Sequence, residues 1–174
     1  KKKCILFLVS QNISLFGSSV VGYAITWYIT LKTSSGMWMT ASILCSLLPQ
    51  LFVSLFAGVW ADRYHRKMLI MVSDGFIAAS TLGLALMFLV GKDSMWMLML
   101  VSAVRSVGAG VQTPAVGAIV PQIIPQEKLT RINGINQTCN SVLMMISPAV
   151  GGVLLGSVGI AWAMLVDVIT AALA

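Results

Sequence analysis

Residues 36–67 read GMWMTASILCSLLPQLFVSLFAGVWADRYHRK, and the change of character within them decides the fold. From Gly36 to Ala61 there is no charged residue in 26 positions; then Asp62, Arg63, Arg66 and Lys67 fall within six. About 20 apolar residues in helix cross a bilayer core. The run is long enough to cross, and too long for the core of a signal peptide. A second uncharged run, Cys4 to Leu31, covers 28 positions. Barrel strands alternate apolar and polar residues over about ten positions, which these continuous runs do not do, so both read as helices.

The whole chain extends the pattern. Of its 174 residues 58% are hydrophobic and 9% charged, against about 25% charged in soluble domains. Mean hydropathy is +0.94. The net charge of +6 comes from short basic clusters between apolar spans, not from a basic face, so it marks topology and excludes nucleic-acid binding. Cys4, Cys45 and Cys139 sit in apolar surroundings without metal-site or CxxC spacing, and read as small lipophilic fillers. No hydrolase, zincin or phosphate-loop pattern is present. His65 reads as a solvated loop residue. No enzyme activity and no cofactor are expected.

Six transmembrane helices are expected. They run from about Cys4 to Leu31, Met37 to Ala61, Met68 to Val90, Met95 to Val120 and Leu129 to Ser157, with a sixth from Ile160 still running at Ala174. KTSSG (32–36) and GKDS (91–94) turn the chain, and Pro121 and Pro125 are expected to break it in PQIIPQEK, because proline lacks the donor a helix interior needs. The fifteen residues of the sixth span make about 22 Å of helix, short of the ~30 Å core. The chain is therefore expected to be cut within that span. Lys1, Lys2, Lys3, Arg63, Arg66, Lys67, Lys128 and Arg131 fall on one side and Lys32 and Lys92 on the other. The positive-inside rule puts the first side, with the N-terminus, in the cytoplasm.

Three ionisable residues lie within spans: Asp74, Arg105 and Asp167. Each costs roughly 2.5–3.5 kcal/mol at a helix centre on the insertion scale, so they should face the bundle interior, paired or functional. Arg105 is expected to pair with an acid, and Asp74 and Asp167 are candidate proton carriers. Small residues collect in RSVGAGVQTPAVGA (105–118) and SPAVGGVLLGSVG (147–159), where Gly152 and Gly156 form GxxxG. Such residues let helices approach closely in lipid, as static packing or as a moving contact surface.

GVWADRYHRK (58–67) resembles the loop signature of the major facilitator superfamily, G-x-x-x-D-R-x-G-R-K. Gly58, Asp62, Arg63, Arg66 and Lys67 match, and His65 stands where the pattern has glycine. RSVGAG (105–110) is similar to the family's R-x-x-x-G element, with Arg105 as the arginine. GINQTCNSVLMMISPAVGG (134–152) resembles the antiporter signature G-x8-G-x3-G-P-x2-G-G through Gly134, Pro148, Gly151 and Gly152; Leu143 and Ser147 replace two of its glycines. The likeness covers the chain and is greatest to the macrolide-efflux and siderophore-exporter branch of bacterial facilitators.

The resemblance implies an all-α bundle, the N-terminal six-helix half of a transporter whose C-terminal half is absent. It implies a multi-pass protein of the bacterial plasma membrane, with the bilayer, a small molecule and protons as partners. Asp62 and Arg66 would form a latch against the other half. Arg105 would face a central cavity and couple to protons. Pro148, with Ser147, Gly151 and Gly152, would shape a bend between halves. Phe16, Tyr23, Trp27 and Gln112 are candidates to line the substrate cavity. Proton-coupled export of amphipathic molecules or drugs is the expected activity. The alternatives are uptake of a sugar or organic acid, and a non-transporting membrane sensor or scaffold.

Overall fold

The computed structural model describes residues 2–173, with side chains from Leu6 onward apart from that of Ile123. Lys1, Ala174 and the side chains of Lys2, Lys3, Cys4 and Ile5 lie outside the described residues. Six helices follow one another: α1 Lys2–Thr33, α2 Gly36–Arg63, α3 Arg66–Leu89, α4 Met95–Ile123, α5 Gln126–Val158 and α6 Ile160–Leu173. The first five are long and apolar enough to cross a membrane, and α6 is a shorter apolar helix. In lipid every backbone donor and acceptor must be satisfied within the segment, which is why such runs fold as helices.

One boundary differs from the sequence expectation. Pro121 does not end the fourth span; α4 runs through both Pro114 and Pro121 to Ile123. Pro121 falls in the last turn, so it costs a single helical bond, that to the Gly117 carbonyl. The stop is made at Ile124, extended at φ −110° and ψ 130°. That is the conformation a following proline imposes on its predecessor.

The packing has a twofold logic. α4 packs on α2 and α3, α1 packs on α5 and α6, and α3 meets α6. Exchanging the first three helices for the last three leaves this pattern unchanged, which is the mark of a 3+3 repeat. α2 and α5 are the least buried spans.

Apolar packing splits into two layers. Toward the 33/95 end, Val21, Ile25 and Ile29 pack with Leu84, Leu98 and Met164. Toward the 62–67 loop, Ile70, Ala115 and Ile119 form a smaller cluster. Between the layers lie the polar and charged residues of the spans.

Glycines set how closely helices meet. A Cβ on Gly151 of α5 would lie 2.9 Å from the Val20 carbonyl of α1. On Gly110 of α4 it would lie 2.9 Å from the Gln50 carbonyl of α2. Gly17 of α1 and Gly108 of α4 are tighter still, against Thr170 and Ile77. Gly152 and Gly156, by contrast, face open space. The close contact of α5 is therefore made by Gly151, one position from the GxxxG pair, and the GxxxG face is uncovered.

At α2, Pro49 has no amide hydrogen to give, so the helix ladder is already weakened there. The Ser106 hydroxyl of α4 enters the next rung. It accepts from the Gln50 amide at 3.1 Å and donates to the Ser46 carbonyl. A side chain placed in this way ties the backbone ladder of α2 to a neighbouring helix.

Candidate functional site

Two polar tiers occupy the middle of the bundle; both draw on α1, α3 and α4, and the first also on α6. In the first, Arg105 of α4 forms a buried ion pair with Asp167 of α6. The guanidinium also donates to the Thr81 hydroxyl of α3 and to the Ser18 carbonyl of α1 at 3.1 Å. Asp167 accepts from the Ser18 hydroxyl at 2.8 Å through its other oxygen, and Thr81 lies 3.1 Å from the oxygen that faces Arg105. Asp167 is 1% exposed and Arg105 9% at the side chain. Buried charges are tolerable only with this degree of mutual satisfaction.

The second tier lies about 10 Å nearer the 62–67 loop, seven residues along α3 from Thr81 to Asp74 and along α4 from Arg105 to Gln112. Asp74 accepts from the Ser14 hydroxyl of α1 at 3.1 Å and from the Gln112 amide at 2.8 Å. The same amide lies 3.3 Å from the Gln11 carbonyl oxygen. Asp74 is half-buried. None of the ion pairs among the described residues involves it. The two carboxylates also match by topology, Asp74 on α3 and Asp167 on α6, each about eight residues into its helix. One has been given an arginine and the other only neutral donors.

The charged loop joins α2 to α3. Arg66 pairs with Asp62 at 3.4 Å. Its guanidinium also donates to the Ala61 carbonyl at 3.0 Å and to the Ala118 carbonyl of α4. Arg66 thus ties the last turn of α2 to α4, supplying donors that carbonyls near a helix end lack. Asp62 is 76% exposed, and at the C-terminus of α2 it sits at the unfavourable end of the helix dipole. Arg63 and Lys67 are exposed and make no ion pair among the described residues. His65 precedes α3 at φ −62°. That backbone suits any residue, so the turn has no need of glycine at this position.

Along α5 the antiporter-like positions divide. Gly134 and Gly152 face open space, and Gly151 meets α1. Ser147 is fully buried, with no hydrogen-bond partner for its hydroxyl. α5 continues through Pro148, which removes the donor to the Met144 carbonyl.

The four cavity candidates are not gathered at one place. Phe16, Tyr23 and Trp27 follow one stripe of α1, half-buried in the first case and exposed in the others. Gln112 is engaged with Asp74 instead. Sequence reading passed over Gln11, Ser14, Ser18 and Thr81. Their signal was spacing: Gln11, Ser14 and Ser18 stand at i, i+3 and i+7, a polar stripe on an otherwise apolar helix. Cys45 and Cys139 are free thiols. Among the described residues no group of three or more His, Cys, Asp or Glu could hold a metal ion.

A bundle of apolar spanning helices with a buried ion pair and a lone carboxylate between two oily layers defines a multi-pass membrane protein with charge held within its spans. The family model of the Major Facilitator Superfamily matches residues 7–174. The chain belongs to that superfamily, as the loop and α5 motifs imply. It is 34% identical over 154 residues to macrolide efflux protein A of Streptococcus pyogenes, covering 88% of this chain and 38% of the relative. To the protein of the same name from Enterococcus faecalis it is 34% identical over 120 residues, covering 69% and 37%. To the enterobactin exporter EntS of Citrobacter koseri it is 30% identical over 155 residues, covering 88% and 37%. The chain thus spans somewhat over a third of the length of these relatives.

Proposed function

We propose that this chain is the N-terminal six-helix part of a proton-coupled secondary transporter that exports amphipathic small molecules across a bacterial plasma membrane. The observation that carries the reading is Asp74, a half-buried carboxylate in a spanning helix with no cation beside it. Protonating Asp74 severs no ion pair, whereas protonating Asp167 would strand Arg105. Asp74 is therefore the proton carrier and Asp167 the counter-ion of Arg105. The exporters among the relatives support the direction of transport. The basic loops support an orientation with the N-terminus and the 62–67 loop in the cytoplasm.

Substrate contacts the aromatic stripe Phe16, Tyr23 and Trp27, beside the face of α5 that carries Gly152. A second six-helix half covers that face and completes the cavity. Gly58, Arg63 and Lys67 shape and orient the loop in which Asp62 and Arg66 act as the latch. Gly134, Ser147, Pro148 and Gly151 set the course of α5 against α1. Alternating access is then a rocking of one half against the other.

Everted vesicles containing the full-length transporter test this. Substrate addition should release protons from the vesicles in the parent and not in Asp74→Asn or Arg105→Ala, with all three inserted equally. Transport that continues unchanged after the proton gradient is collapsed refutes proton coupling. Asp62→Asn should insert normally and transport poorly; unimpaired transport would sink the latch.

A further inference from the structure

Two grooves meet on the outer surface of α3. The first, of about 650 Å³, is lined by His65, Lys67, Met68, Met71 and Val72. The second, of about 230 Å³, continues from Val72 between α2, α3 and α4, past Trp60, Leu69, Phe76 and Gly108. The track is charged at the loop and apolar below it. From Lys67 to Phe76 it runs nine residues, about 14 Å of helix. That is close to half of a ~30 Å hydrocarbon core, the depth of one leaflet.

The charge at the head of the track is unbalanced. The loop carries Arg63, Arg66 and Lys67 against the single anion Asp62. Asp62 is bound to Arg66. Arg66 is also committed to the Ala61 and Ala118 carbonyls. Arg63 and Lys67 are left exposed and unpaired among the described residues. Below them Met68, Met71 and Val72 are each more than half exposed. An apolar channel one leaflet long, lined at its head by the unpaired Lys67 and with the exposed Arg63 on the adjoining loop, complements one molecule: a lipid with an acyl chain and an anionic headgroup.

We infer that this groove seats an anionic phospholipid, its phosphate at Lys67 and Arg63 and one chain lying along Val72 toward Trp60 and Phe76. The seat shares Arg63 and Lys67 with the proposed gating loop but stands apart from the mid-span tiers, and lipid quenching tests it without a transport measurement.

Trp60 reports on occupancy, because brominated acyl chains quench an indole they touch. The full-length protein is placed in bilayers of mixed composition, and the Trp60 signal is taken as the difference from Trp60→Phe. Brominated phosphatidylglycerol should quench that signal at a lower mole fraction than brominated phosphatidylcholine, by about fivefold for each basic residue engaged. Arg63→Gln with Lys67→Gln should bring the two lipids level, while Lys67→Arg keeps the preference. Val72→Phe, which narrows the track at an exposed position, should weaken quenching by both lipids. Equal quenching by the two lipids in the parent overturns the anionic seat. No quenching by either means that protein covers the groove, and overturns it as well. Quenching unchanged by Val72→Phe removes the chain from this track and does the same.

Discussion

Replacing Asp167 by asparagine tests whether the mid-span ion pair is one unit. The side chain keeps its shape and one oxygen for Ser18, but its amide then turns a donor toward Arg105 and Thr81, which are themselves donors there. Arg105 keeps only the Ser18 carbonyl at 3.1 Å and the Thr81 hydroxyl. Both members of the pair are at most 9% exposed, so solvent screening gives little relief. Removing one partner of a buried pair costs about 3–5 kcal/mol. A lone charge at the centre of a spanning helix costs roughly 2.5–3.5 kcal/mol on the insertion scale. Both routes give about 3 kcal/mol for Asp167→Asn. The double variant Asp167→Asn with Arg105→Gln removes both charges, and two amides can bond each other. It should lie within about 2 kcal/mol of the parent, since a buried pair replaced as a whole is often near neutral. Equilibrium unfolding of the full-length protein in mixed micelles, run as a double-mutant cycle, measures this. A double variant that loses as much as the two singles summed would show that Arg105 and Asp167 do not act together.

The other tier predicts the reverse response. Gln112→Lys supplies the cation that Asp74 lacks, 2.8 Å from where the amide now sits; substrate-driven proton release should stop while the fold is kept, and release at the parental rate would refute Asp74 as carrier. Gly151→Leu drives a side chain into the α1 backbone, where even a Cβ would be 2.9 Å from the Val20 carbonyl. Overpacking of this kind costs about 1–3 kcal/mol, so the unfolding midpoint should fall, whereas Gly152→Leu on the open face should leave the folding of these helices unchanged. At the far end of the bundle, Lys32 bonds and pairs with Asp93 and holds its carboxyl below the ordinary value of 3.8. The sign follows from the lowered value: the pair's contribution is complete above the ordinary carboxylate range and fades as pH falls through Asp93's own lower one. Asp93→Asn should remove that dependence; the pair is exposed, so the effect should also shrink with salt.

The helices were legible because charge is so scarce in this chain. Each uncharged run became one helix, and each charge cluster outside the runs became a turn or a helix end. Pro121 misled because a proline's cost depends on how many rungs remain beyond it, and a residue near the end of a span has almost none. For the glycines, spacing alone does not say which side of α5 faces α1. Gly151 and Gly152 are neighbours about 100° apart on the helix, and only packing chooses between them. That Arg105 would find an acid followed from the cost of leaving it alone. That the acid is Asp167 rather than Asp74 required the fold, since both stand about eight residues into equivalent helices. The neutral residues that hold the tiers escaped notice because a serine or glutamine in a span is cheap, and its meaning appears only when several face one carboxylate.

Ser106 gives α4 the character of a crankshaft. It adjoins Arg105, so two successive residues grip opposite sides of the bundle. Arg105 holds α1, α3 and α6 at mid-depth, and Ser106 is spliced into the backbone of α2 beside Pro49. α4 cannot turn about its axis without pulling on both. Beyond the splice, twelve residues of unbroken helix lead from Gln50 to Asp62, an arm of about 18 Å. The ion pair and the loop at the membrane surface are thereby joined along α2 by this splice, as they are along α4 by the bond from Arg66 to the Ala118 carbonyl.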